Sequence, residues 1–123
     1  MKRRKSIPLF LITALMSISM LSFAGTTYQI SSNKNWSAAI PSTCANCTIS
    51  ISSGITLTID VAATCQNCTF SGGKIVISSQ TLNLQYANSL TTTYFIGTTL
   101  QVNGTGQVIV NAPLSLTGST FTF

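Results

Sequence analysis

The chain has 123 residues, only 6% of them charged, with a formal net charge of +5 and no histidine; an average soluble domain carries roughly 25% charged residues. Lys2, Arg3, Arg4 and Lys5 hold four of the six bases, and beyond them the only charges are Lys34, Lys74 and Asp60, a net +1. Such a chain cannot neutralise the phosphates that a nucleic acid presents, and it lacks the proton carriers on which most acid–base enzymes depend.

The basic start runs into an apolar stretch, 7–24, that ends in Ser22-Phe23-Ala24 before Gly25. A positive head, an apolar body and small residues two apart are the layout of a signal peptide, so cleavage is expected between Ala24 and Gly25. A membrane anchor is the competing reading, but Ser17, Ser19 and Ser22 dilute the stretch. The chain is therefore expected to be exported to the extracellular space or cell surface, or to the periplasm, with no membrane segment left once the signal is removed.

After Gly25 the composition changes to Thr, Ser, Asn and Gly between short β-branched runs. Residues 35–41 allow one helical turn, started by Asn35 and stopped by Pro41. Strict alternation predicts strands with one buried face over 47–51, 55–61, 81–85, 100–102, 114–117 and 121–123. Ile75-Val76-Ile77 and Val108-Ile109-Val110 are short continuous apolar runs of the same kind.

The stronger signal is self-similarity. Asn46-Cys47-Thr48-Ile49-Ser50 recurs as Asn67-Cys68-Thr69-Phe70-Ser71, a shift of 21 residues, with weaker echoes at Thr92-Thr93-Tyr94-Phe95 and at Gly118-Ser119-Thr120-Phe121. Two or three short strands per repeat of this length suit one coil of a parallel β-solenoid, whose rungs stack about 4.8 Å apart. Glycines at 54, 72, 73, 97, 104 and 106 fall between the strands, at the expected corners. The alternative is an antiparallel β-sandwich, which gives no reason for Asn-Cys-Thr to repeat at a fixed shift.

Tyr28-Gln29-Ile30, Trp36-Ser37 and the run from Cys44 through Gly54 to Leu57 resemble the opening of secreted bacterial right-handed parallel β-helix proteins, the pectate-lyase-like superfamily, which includes many surface and adhesin-like proteins. The resemblance covers most of the chain after the signal and implies an all-β, right-handed β-helix of about four coils. It also implies an N-terminal cap over 25–43, with Trp36 plugging the apolar end, and coils over 44–123 that stay open at the C-terminal end. Active members of the superfamily need several carboxylates for calcium or for acid–base work. This chain offers Asp60 alone, so no catalytic residue carries over. Its serines have no histidine partner either.

Cys44-Ala45-Asn46-Cys47 and Cys65-Gln66-Asn67-Cys68 form the sharpest local pattern. Two such pairs match the spacing of a four-cysteine zinc site, yet export to an oxidising compartment favours disulfides. Stacked coils would set Cys44 over Cys65 and Cys47 over Cys68, close enough for bridges between coils. Bridges within each pair and crossed bridges remain open, as does a reduced stack. Asn46 and Asn67 are suited to left-handed corners and to a stacked amide ladder.

The functional expectation is a secreted or surface structural and adhesive module without a catalytic site or cofactor. Its expected partners are carbohydrate or another surface protein, with end-to-end self-association at the open coil. The alternatives are the first coils of a larger polysaccharide-degrading or carbohydrate-binding β-helix and, as a minor reading, an ice-binding solenoid suggested by Thr56-Leu57-Thr58 and Thr91-Thr92-Thr93.

Overall fold

Alternation of β-branched or aromatic residues with Thr, Ser and Asn favours extended backbone with one wet face and one dry face. The computed structural model describes residues 25–87 and 91–123; the expected signal segment 1–24, with Ala24 at its cleavage point, lies outside them. The first coil holds β1 (Thr26–Ile30), β2 (Lys34–Asn35), the single helical turn α1 (Trp36–Ala39) and β3 (Thr43–Ala45). The second holds β4 (Cys47–Ile51), β5 (Thr56–Ile59) and β6 (Ala63–Gln66), and the third β7 (Thr69–Ser71), β8 (Lys74–Ile77) and β9 (Thr81–Gln85). The fourth holds β10 (Thr93–Ile96), β11 (Thr99–Val102) and β12 (Gln107–Asn111), and β13 (Leu114–Thr117) and β14 (Thr120–Thr122) start another.

Every third strand pairs, and all pairs among the described residues are parallel. Three sheets result, in the orders β1-β4-β7-β10-β13, β14-β11-β8-β5-β2 and β12-β9-β6-β3. The fold is a β-solenoid of about four turns, and the parallel pairing excludes the sandwich.

The register converts the repeat into columns. Tyr28, Ile49, Phe70, Phe95 and Leu116 face inward one above another in the first sheet. Leu57, Ile75, Leu100 and Phe121 do the same in the second. Ala63, Leu82 and Val108 make a column in the third. The side chains of Ile49, Phe70, Phe95, Leu57, Ile75, Leu100, Ala63 and Leu82 are fully buried. Burying a large apolar side chain of this kind contributes about 1.5–3 kcal/mol, so the columns are the main stabilising element. Phe70 and Phe95 stack with ring centroids 4.6 Å apart and planes 8° from parallel, and Phe121 meets Phe95 edge-on at 4.9 Å.

Two features differ from the sequence reading. The segment expected as a cap, 25–43, supplies the first rung of the sheets itself, and Cys44 lies inside β3 rather than at a boundary. Within that rung Trp36 is fully buried and its Nε1–H donates to the Pro41 carbonyl at 2.9 Å, which places the indole in the core. The echo at Gly118-Ser119-Thr120-Phe121 also belongs elsewhere. Thr120 and Phe121 pair with Thr99 and Leu100 in the second sheet, while Leu114-Ser115-Leu116 continues the first. The true counterpart of Gly118-Ser119 is Gly97-Thr98. Both glycines have positive φ, 59° and 60°, and the Thr98 N–H donates to Ser119 Oγ at 3.0 Å. A shared Thr-Phe pair concealed a shared corner.

The next inward position beyond Cys68 is Thr93, since Thr69 pairs with Tyr94. Thr93 is fully buried, and among the described residues its Oγ1 has no hydrogen-bond partner. A buried hydroxyl left unpaired costs about 1–3 kcal/mol. Thr93→Val, which keeps the shape and removes the polar atom, is expected to raise the unfolding free energy by about 1 kcal/mol. Phe95→Ala, which empties the middle of the aromatic column, is expected to lower it by about 3–5 kcal/mol. Urea unfolding of the three proteins checks both signs.

Candidate functional site

Three groups of side chains stand apart from the apolar columns. The first is the corner between β3 and β4 and its copy between β6 and β7. Asn46 and Asn67 turn these corners with φ of 55° and 56°, the left-handed region that Asn tolerates better than most residues. The backbone ladder continues through the turns, with Asn46 N–H donating to the Gln66 carbonyl at 2.8 Å and Asn67 N–H to the Gln85 carbonyl at 3.1 Å. Asn67 Nδ2 donates to Asn46 Oδ1 at 2.8 Å, so the two amides form the expected ladder.

Each Asn is flanked by cysteines on two different sheets. Cys44 pairs in register with Cys65, and because Thr48 pairs with Thr69, Cys47 stands over Cys68. All four are buried. A disulfide joins Cys44 to Cys47 across the first corner, Cα to Cα 6.1 Å, whereas Cys65 and Cys68 are free thiols. The bridge thus lies within the first pair and not between coils. The left-handed Asn turns the chain from the third sheet into the first, and Cys44 and Cys47, one on each side of the turn, both face the core. A disulfide sulfur has no thiolate to offer, so with this bridge closed the four cysteines cannot act together as a zinc set.

Cys65 and Cys68 act on each other's titration. The neighbouring Cys68 thiol, followed by burial, pushes the Cys65 thiol well up. The neighbouring Cys65 thiol draws Cys68 down, against the effect of its burial and with help from the Cys47 backbone. The Cys68 thiol also lies 3.5 Å from the Cys44 carbonyl oxygen, which it faces as donor. The sulfurs of Cys44, Cys47 and Cys68 lie within 4.8 Å of one another.

The second group is Asp60, the one acid in the chain. It follows β5, and its carboxylate accepts the Ser37 N–H at 2.9 Å and the Ser37 hydroxyl. Asp60 therefore ties the second coil to the start of α1, where a backbone N–H has no partner within the helix. The Ser37 hydroxyl and then the Ser37 N–H hold its carboxyl below the ordinary aspartate range.

The third group lies on the outer face of the solenoid and was not legible from the sequence. Gln66, Gln85 and Asn111 occupy one outward column across three coils of the third sheet. Tyr86 follows Gln85 with 46% of its surface exposed, and Gln85, Tyr86 and Asn111 line one shallow hollow. The spacings from Gln66 to Gln85 and from Gln85 to Asn111 differ, so no fixed period marks the column. Elsewhere Thr27, Thr48 and Thr69 form an outward hydroxyl column on three successive coils, followed by Tyr94 and Ser115. Lys74, which pairs with Thr56 and Thr99, is half-buried at the start of β8. Among the described residues no helix is long and apolar enough to cross a membrane. No protein-family model, curated protein or solved structure matches the chain.

A carboxylate held down by its hydrogen bonds stabilises the fold above its unfolded value, about 3.9, and that contribution is lost as pH falls through the lower folded value. Asp60→Ala is therefore expected to lower the melting temperature at pH 7, with the difference from the parent closing as the pH is taken below about 4. Thermal unfolding followed by circular dichroism across this range checks it; a difference unchanged at low pH would mean that the charge is not the cause.

Proposed function

We propose that this chain is an exported structural and adhesive module, a bacterial β-solenoid of the pectate-lyase-like kind. It has no catalytic site of its own and acts outside the cell or at its surface. The observation that carries this reading is the outer face. Columns of hydroxyls and amides run along it, almost without charge, beside exposed Tyr94, Ile96 and Ile109, and Tyr86 stands exposed beside Gln85 and Asn111. An aromatic ring flanked by amides suits a neutral carbohydrate: the ring covers the apolar face of a sugar while the amides donate to and accept from its hydroxyls. The sole acid is held by Ser37, and the chain has no histidine to serve as a base.

A second reading sets the last described rung against a second copy of the chain, end to end. It is favoured by the last rung, where the inward residues Val110 and Leu116 are 45% and 47% exposed and Phe123 is 81% exposed. Strand edges left with apolar side chains beside them are strong sites for further pairing.

Glycan-array binding and polysaccharide turnover by the purified chain separate the possibilities. The adhesive reading expects binding to neutral glycans that falls at least about tenfold in Tyr86→Ala, a loss of roughly 1.4 kcal/mol, with no turnover. Turnover that disappears in Asp60→Asn would overturn the non-enzymatic reading. Self-association that is abolished by Leu116→Lys would support the end-to-end arrangement.

A further inference from the structure

The four cysteines hold more chemistry than one structural bridge requires. We propose that the two Cys-x-Asn-Cys corners exchange a disulfide through the solenoid interior, so that the buried pair Cys65 and Cys68 is oxidised through Cys44–Cys47 rather than by direct contact with an external oxidant.

Three observations lead to this. The Cys68 sulfur lies within 4.8 Å of both sulfurs of the existing bridge. The two corners also share one backbone shape, with φ of 55° at Asn46 and 56° at Asn67 and their amides hydrogen-bonded. The second corner can therefore hold a bridge shaped like the first. Finally, Cys65 and Cys68 are 0% and 1% exposed, and the outermost sulfur-bearing residue of the cluster is Cys47 at 5%. An external disulfide reaches the first corner more readily than the second. The neighbouring Cys65 thiol draws Cys68 down, which favours Cys68 as the attacking thiolate.

The exchange balances without any outside reagent. The Cys68 thiolate attacks Cys47 Sγ, a Cys47–Cys68 bond forms, the Cys44–Cys47 bond breaks and Cys44 leaves as a thiolate that takes up the proton given up by Cys68. The Cys65 thiolate then attacks Cys68 Sγ, closing Cys65–Cys68 and releasing Cys47, which takes up the Cys65 proton. One disulfide and two thiols are present before and after. A small-molecule disulfide outside the protein then re-oxidises Cys44 and Cys47 and is itself reduced to two thiols, leaving both corners bridged.

The test reduces the folded protein, adds glutathione disulfide, quenches with acid, alkylates the free thiols and maps the bridges by mass spectrometry. Cys44–Cys47 is expected first and Cys65–Cys68 second. In Cys44→Ser/Cys47→Ser, oxidation of Cys65–Cys68 is expected to slow by about tenfold or more, because no bridge is left to attack. In Cys65→Ser/Cys68→Ser, Cys44–Cys47 is expected to form at the parent rate. Equal rates of Cys65–Cys68 formation with and without the first pair would overturn the proposal. The single variant Cys65→Ser gives an independent reading that does not depend on the double variants folding. It removes the resolving thiol, so a Cys47–Cys68 cross-link is expected to be trapped as a minor species beside Cys44–Cys47, and its absence would also overturn the exchange.

Discussion

The parallel hydrogen-bond ladder between successive coils is the constraint on which everything else depends. It fixes each residue directly over its counterpart one coil earlier, so like environments stack on like. An inward isoleucine must meet an inward apolar residue above it. A corner Asn meets another Asn, and a cysteine meets a cysteine. A slip of one residue in any strand would send its whole apolar set outward. The deep burial of Ile49, Phe70 and Phe95 in one column therefore measures how strongly the register is specified.

The same ladder explains how the chain tolerates so little charge. A domain stabilised by stacked apolar columns and by backbone pairing needs few side-chain polar contacts inside. Several of the polar side chains that bond across coils sit at corners: Asn67 to Asn46, Thr98 to the Gly72 carbonyl at 3.0 Å, and Asp60 to Ser37. These are the places where the strand ladder is interrupted and backbone groups would otherwise be orphaned. Asp60, in this light, belongs to the scaffold. Its charge holds the helical turn that carries Trp36 against the second coil.

Much of the fold was visible in the residues, because period-two alternation and a shift of 21 residues at Asn46-Cys47-Thr48 are direct consequences of stacking. The β-solenoid and the left-handed corners follow from those patterns. The reading failed where coils differ in length. The shift between partners is 21 from Thr48 to Thr69 but 25 from Thr69 to Tyr94, and within one coil boundary it falls to 18 between Thr56 and Lys74. Unequal corners leave the strands paired while they destroy any constant period. The Gly118–Phe121 echo was misplaced for this reason, and the amide column ending at Asn111 was not seen.

The sequence by itself determined that the chain forms short strands with one apolar face, that it repeats, and that it carries little charge beyond its first residues. Local residue preferences and periodicity suffice for those conclusions. Only the tertiary structure decided which cysteines are joined: Cys44 and Cys47 bridge across their corner and not along the stack, and Cys65 and Cys68 stay free. Only the tertiary structure drew Gln66, Gln85, Asn111 and Tyr86 onto one part of the surface and gave Asp60 its partner. Contacts between coils depend on the length of every intervening corner, and no local pattern records that length.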